Sequence, residues 1–370
     1  MNKKSILILG IVAFSLIWSG ANAQQQSSGQ WRGFVQGTQV QMPTGKAPSA
    51  LPGIGQEVPL MYGPGGAEAL LNAIRRAETP EGQELLLTYQ PQQNTIDFPP
   101  PVAPPLVTNF TGPAFGGIWT PGDPVIAAGS TYVGVMINSQ CDFYTKAGVW
   151  SGGSILKVFF APVFDTLTYR DPFDPKIIFD HHFNRWVMLA LTYNSAAQQS
   201  RYLVAVSQTI NPIGSWWIWA LDSQDPLEPN PLWADYPGLG FDADTGVYIT
   251  SNQYAFGGGF SYAKVRALRK GALYTGTAIW WDYWNMTDPD GWTTFTIKPA
   301  HTFGNPGVEY LVNSKWAGGN LVHLWSLTPG DALVTSLGSV GIGWYWPPPV
   351  PMCSDSGLNL FDCRTQDAQY

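Results

Sequence analysis

Short apolar runs broken by turn-forming residues dominate this chain. RWVMLALTY (185–193), RYLVAVS (201–207) and SWWIWAL (215–221) are rich in β-branched and aromatic residues and are separated by polar or Pro/Gly-containing segments, which predicts an antiparallel meander. GVYITSNQY (246–254), FSYAKVRAL (260–268) and TTFTIKP (293–299) repeat the idea, and VEYLVNS (308–314) and NLVHLWSL (320–327) follow. One segment has the helical period instead. In AEALLNAIRRAE (67–78), Leu70, Leu71, Ile74 and Ala77 share a face, after the breaker Gly63-Pro64-Gly65-Gly66 and before Thr79-Pro80. Residues 24–59 show no periodicity and read as a flexible arm that adds little core, while PQQNTIDFPPPVAPP (91–105) is too proline-rich for regular structure and marks a linker. The predicted organisation is a leader over 1–23, a flexible region with one short helix over 24–105, and a β domain over 106–370.

The leader has the three parts of a secretory signal peptide: Lys3 and Lys4, an apolar run from Ile6 to Trp18, and the small residues Ala21-Asn22-Ala23 before Gln24. An uncleaved anchor is the rival reading, but a span needs about 20 apolar residues. Export of bacterial type to the periplasm, the cell surface or the outside is therefore expected, with no membrane span left after cleavage. Cleavage removes two lysines and no acid, taking the formal net charge from −7 to −9. So acidic a body is repelled by phosphate backbones and excludes general nucleic-acid binding. Only 12% of residues are charged while 40 are Gly and 31 Pro, a balance poor in helix formers and rich in turn formers. In an oxidising compartment Cys353 and Cys363 can close a local disulfide around SDSGLNLFD, leaving Cys141 as a small buried side chain.

A weak repeat ties the strands together. Asp123-Pro124, Asp174-Pro175, Asp235-Tyr236-Pro237 and Asn305-Pro306 each precede a short apolar strand, at intervals of 51, 61 and 70 residues. That is near the length of a four-stranded unit with its loops, and radial repetition of such units makes a β-propeller. A two-sheet sandwich is the alternative. The fold class expected is thus all-β, a β-propeller of irregular repeats.

The stretches DPKIIFDHHFNRWVM (174–188), LVAVSQTINPIGSWWIWALD (203–222), DYPGLGFDADTGVYITSNQY (235–254), KPAHTFG (298–304) and EYLVNS (309–314) carry a resemblance. From about Phe115 onward the chain resembles a group of bacterial secreted proteins, mostly uncharacterised and expected to be β-propellers. The DTNGAVGPNH-like string that opens such proteins is reduced here to TPGDPVIAAGSTYV (120–133). Relatives continue with further strands after a string like DCRTQDAQY, where this sequence stops at Tyr370, which leaves two alternatives: the sequence is a piece of a longer chain, or the propeller ends one blade early. The resemblance implies an architecture and a secreted context; it carries over no catalytic residues.

Candidate chemistry starts from the repeat. If Asp123, Asp174 and Asp235 each begin the innermost strand of a blade, their carboxylates converge on one mouth of a channel, with Glu309 and His301 adding to the cluster. Paired carboxylates are what a glycoside hydrolase or a polysaccharide lyase would use. The competing reading is that Asp-Pro is turn chemistry, with the carboxylate accepting backbone N–H groups. Asp242-Ala243-Asp244-Thr245-Gly246 resembles part of a calcium loop, making Ca²⁺ the one cofactor the sequence admits, but it lacks the later bidentate Glu and also reads as a hairpin turn. Asp288-Pro289-Asp290-Gly291 reads as a turn, and the four histidines, among them His181, His182 and His323, are too scattered for a recognisable zinc site.

Seventeen tryptophans exceed what a core of this size ordinarily uses. Trp217 and Trp219 share one strand face, and Trp280 and Trp284 flank Asp282, so these rings and His301 are candidate sugar-stacking positions, with packing between blades as the competing use. No Gly-x-Ser-x-Gly, His-Glu-x-x-His or phosphate-loop motif is present. The function expected is a secreted binding or scaffold module whose partner is a glycan or a cell-surface protein, with glycoside hydrolysis as the alternative.

Overall fold

The computed structural model describes residues 29–45, 56–57, 61–87, 108–113, 119–120, 122–224 and 230–346. The expected leader, the 91–105 linker and the Cys353/Cys363 pair lie outside the described residues. Before the main body come β1 (Gln30–Gln36), β2 (Thr38–Gln41), β3 (Gln56–Glu57), α1 (Gly66–Ala77), α2 (Pro80–Leu87) and β4 (Trp119–Thr120), with β3 and β4 paired in parallel. Four antiparallel sheets follow, each a meander of consecutive strands. The first holds β5 (Val125–Ala128), β6 (Tyr132–Ile137), β7 (Gln140–Thr145) and β8 (Trp150–Ile155), and α3 (Leu156–Phe160) leads out of it. The second holds β9 (Phe173–Asp180), β10 (Arg185–Asn194), β11 (Gln199–Ser207) and β12 (Ser215–Asp222). The third holds β13 (Leu232–Phe241), β14 (Gly246–Ala255), β15 (Phe260–Arg269) and, after α4 (Lys270–Leu273), β16 (Thr277–Trp284). The fourth holds β17 (Lys298–Pro299), β18 (Glu309–Ser314), β19 (Gly319–Leu327) and β20 (Thr335–Tyr345). The protein is all-β in character. Its sheets form no closed barrel or ring among the described residues.

The sheets are arranged by their first strands: β5 lies against β9, β9 against β13 and β13 against β17. The apolar clusters consequently sit between successive sheets. One joins Met136, Cys141 and Phe143 of the first sheet to Trp186, Met188 and Trp216 of the second; another joins Val187, Leu189 and Val204 to Val247, Ile249 and Leu268 of the third; another joins Val265 and Tyr283 to Leu311, Trp325 and Leu327 of the fourth. Sheets two and three are therefore covered on both faces, which is why Leu189, Ala190 and Leu191 are all buried in succession rather than alternating. In the fourth sheet, by contrast, β18 alternates between buried and exposed residues.

The segment read as a flexible arm is partly structured. β2 adds antiparallel to β12 (Val40 opposite Trp216), and β1 adds to β16 (Trp31 opposite Trp281). Each covers an outer sheet edge that would otherwise present unpaired N–H and C=O groups. The turn between them needs glycine, because a Cβ on Gly37 would stand 2.7 Å from the Trp219 ring, whose Nε1 donates to the Val35 carbonyl at 3.1 Å. The helix is present at the expected place, but its buried residues are Leu70 and Ala73, and Leu71 is exposed. α1 ends at Ala77, before Thr79-Pro80, and Pro80 then opens a second helix, α2, where a missing N–H costs nothing.

Candidate functional site

The repeat aspartates hold one backbone device used in every sheet. Asp123, Asp174, Tyr236 and Thr296 have φ of 43°, 49°, 52° and 51°, a left-handed conformation just before or near the start of three first strands and, at Tyr236, at the register shift within β13. The N–H that this conformation turns away from the ladder is caught by a side chain from the preceding sheet. Asn138 Oδ1 accepts from Asp174 N (2.8 Å), Asp174 Oδ2 from Tyr236 N (3.0 Å), and Asn252 Oδ1 from Thr296 N (2.9 Å). Asn138 Nδ2 in turn donates to Asp123 Oδ2 (2.7 Å). The fourth unit thus carries Thr296 at this position, and Asn305, the residue expected there, instead donates to Asp244 Oδ2 at 2.6 Å in a loop.

Asp123, Asp174 and Asp235 lie along one chain of contacts: Asn138 bonds both the Asp123 carboxylate and the Asp174 N–H, and the Asp174 carboxylate reaches the N–H of Tyr236, the neighbour of Asp235. Burial, with the Asp174 charge second, lifts the Asp123 carboxyl to about 7, and burial also raises Asp174 against the pull of Lys176. Asp174 Oδ2 is engaged in joining the second sheet to the third, which is the turn-chemistry role, and Asp123 Oδ2 is bonded within its own sheet. Glu309 is not with them. It is fully buried beside Asp242 and Lys270, neither of its oxygens accepts a hydrogen bond of ordinary geometry, and burial, then the Asp242 charge, pushes it up to about 9. His301 is exposed and stacks on Phe241, with Nε2 3.3 Å from the Leu239 carbonyl.

The Asp242/Asp244 loop forms the hairpin turn, the second of its two readings. Asp242 Oδ1 accepts from the N–H groups of Asp244, Thr245 and Gly246, and Oδ2 from the Thr245 and Tyr248 hydroxyls. No lone pair of Asp242 is left facing an ion, and Asp244 points outward to Asn305.

Three of the four tryptophans singled out from the sequence are core. Trp219, Trp280 and Trp284 are buried, Trp280 against the Arg266 guanidinium, while Trp217 is half-buried against the same cluster as Trp219. A different set of rings is available. A cleft of about 390 Å³ lies between α1 and the fourth sheet and is walled by Trp292, Trp316, Trp344 and Trp346, with Asn72, Arg76, Asp290 and Lys315 supplying polar groups. Trp344 and Trp346 stack 5.5 Å apart at 25°. They reach the cleft from the end of β20, and Trp346 is anchored by Nε1 donating to the Gly82 carbonyl at 3.3 Å. Close approach of the chain needs glycine here: Gly318 has φ 111°, and a Cβ on it would meet the Trp346 ring at 2.8 Å. Trp292 is 53% exposed, with the Lys315 ammonium 3.6 Å from its centroid, and Arg76 lies 5.5 Å over Trp346. The Trp316 indole N–H is buried without an acceptor.

Behind Asp290 the turn expected at 288–291 is formed, with Gly291 N donating to the Asp288 carbonyl at 2.8 Å. Asp288 is buried; its Oδ1 accepts from Thr294 Oγ1 (2.7 Å) and Asn313 Nδ2 (3.0 Å). Asp288, Asp290 and His323 form the one His/carboxylate group able to hold a metal ion among the described residues. Comparison with protein-family models, curated proteins and solved structures gives no match. No described helix is long and apolar enough to cross a membrane.

Proposed function

We propose that the chain is a secreted binding module, its four meanders the blades of a β-propeller arc, which holds a glycan in the tryptophan-walled cleft. The observation that carries this reading is the set of four rings, Trp292, Trp316, Trp344 and Trp346, gathered around one concavity with polar groups at hand. Flat indole faces stack on the apolar face of a sugar ring while neighbouring amides and charges bond its hydroxyls. The unpartnered Trp316 N–H is a donor awaiting such an oxygen. Arg76 and Lys315 lie over rings that the sugar would share, which favours glycans bearing carboxylates. Successive packing of first strands and a left-handed residue recurring in or just before each first strand support the propeller part.

The test is a glycan array on the tag-free protein with neutral and uronate-containing members, together with a reducing-sugar release assay. Binding that falls roughly tenfold in Trp344→Ala and in Trp292→Ala is expected, and binding indifferent to both substitutions overturns the assignment. Glycoside hydrolysis is kept as a second reading by the Asp123 carboxyl, which Asn138 holds beside Asp174. It requires sugar release that Asp123→Asn abolishes.

A further inference from the structure

We propose that Asp288, Asp290 and His323 bind a divalent transition ion, zinc or manganese, at the foot of the cleft. His323 is fully buried, and its Nε2 has no hydrogen-bond partner. That nitrogen lies 3.5 Å from Asp288 Oδ2 and 3.8 Å from Asp290 Oδ1, and the three donor atoms all fall within 4.8 Å of one another. A direct N–H···O bond is about 2.7–3.2 Å long, so these separations are too wide for one. They suit atoms that share an ion: with metal–donor bonds of about 2.0–2.2 Å, tetrahedral geometry sets the donors about 3.4 Å apart.

The surroundings orient each donor. Thr294 and Asn313 occupy Asp288 Oδ1, leaving Oδ2 for the ion, and Asn313 is itself fixed by Trp325 Nε1 at 2.8 Å. His323 Nδ1 lies 2.7 Å from Ser339 Oγ. With Nδ1–H donating to that hydroxyl, Nε2 presents its lone pair, the usual arrangement behind a metal-bound imidazole. One nitrogen and two carboxylates suit zinc or manganese better than calcium, which prefers oxygen alone. Of the three residues Asp290 lines the cleft, so a bound ion is approached from the cleft and keeps a position for water or a ligand oxygen.

This inference stands apart from the glycan reading, since the ion is measured without any sugar. Full-length, tag-free protein is stripped with EDTA, then titrated with ZnCl₂, MnCl₂ or CaCl₂, followed by calorimetry and thermal unfolding. One Zn²⁺ or Mn²⁺ per chain, with a raised melting temperature, is the expected result. Asp290→Asn, at the surface, should weaken uptake at least tenfold while unfolding like the parent in EDTA, and His323→Gln should abolish it. Absence of saturable Zn²⁺ or Mn²⁺ uptake, a preference for Ca²⁺, or uptake untouched by Asp290→Asn would each overturn the proposal. Should His323→Gln fail to fold, Asp290→Asn decides alone.

Discussion

Two charge clusters, one buried in the third sheet and one at the foot of the cleft beside the fourth, use similar side chains to opposite ends. In the third sheet Arg266 grips Asp282 with two bonds of 2.6 Å, gives a third to the Asp222 carbonyl, and lies between Tyr202 and Trp280. Lys264 completes it through the Ser223 carbonyl at 2.6 Å. Every charge there has a partner at bonding distance, so the cluster is closed and structural. Beside the fourth sheet, Asp288 and His323 are buried and held from behind, Asp290 faces them from the surface, and the three stop short of one another. Burial alone does not distinguish a site from a strut; burial with a bond left unmade does.

The contrast can be broken at its closed end first. Asp282→Ala leaves two cations in the core and should cost about 3–5 kcal/mol in denaturant unfolding, whereas Asp290→Asn should cost less than about 1 kcal/mol in EDTA. Parity between the two would remove the distinction. The tryptophans divide the same way. Trp216→Ala opens a cavity in the core and should cost about 3–5 kcal/mol, while Trp292→Ala should leave the unfolding midpoint nearly unchanged and act on ligand affinity.

Glu309 sharpens the comparison through pH. Its folded-state value, about 9, lies above the usual 4.5, so between those pH values the native state keeps a proton that the unfolded chain has lost. Stability contributed by this group is therefore present at low pH and declines as pH rises from about 4.5 to 9, with a slope of up to about 1.4 kcal/mol per pH unit. Glu309→Gln should flatten that slope, as read from denaturant midpoints at several pH values; an unaltered slope would place the titration elsewhere. The smallest effect is expected at Arg201, whose ion pair with Asp222 is part-exposed. Arg201→Ala should shift stability by only about 0.2–1 kcal/mol, and less in high salt.

The strands of sheets two and three were legible because burial on both faces writes long apolar runs such as RWVMLALTY. β1 and β2 were not, since Trp31 and Phe34 are exposed and their sequence is polar; backbone pairing with an existing edge makes them strands. β20 was hidden for a similar reason, being rich in glycine and serine and mostly exposed. The Asp-Pro repeat was readable, and its role followed from the left-handed backbone, which nothing in the composition specifies. The cleft could not be read at all. Arg76 sits on a helix, Trp292 in a turn, Trp316 in a loop and Trp344 near a strand end, and no spacing along the chain connects them.

The two edge strands also lead us to expect an order of events in folding. Val40 finds its partner at Trp216 and Trp31 at Trp281, so the segment made early in synthesis has nothing to pair with until much of the chain has followed. Closing such long loops is slow, and the meanders, built of neighbours, have no need to wait for it. The amino-terminal strands are then expected to fasten last, as a latch across two finished sheets, and a chain shortened from that end should still assemble its sheets but leave two raw edges free to recruit other chains.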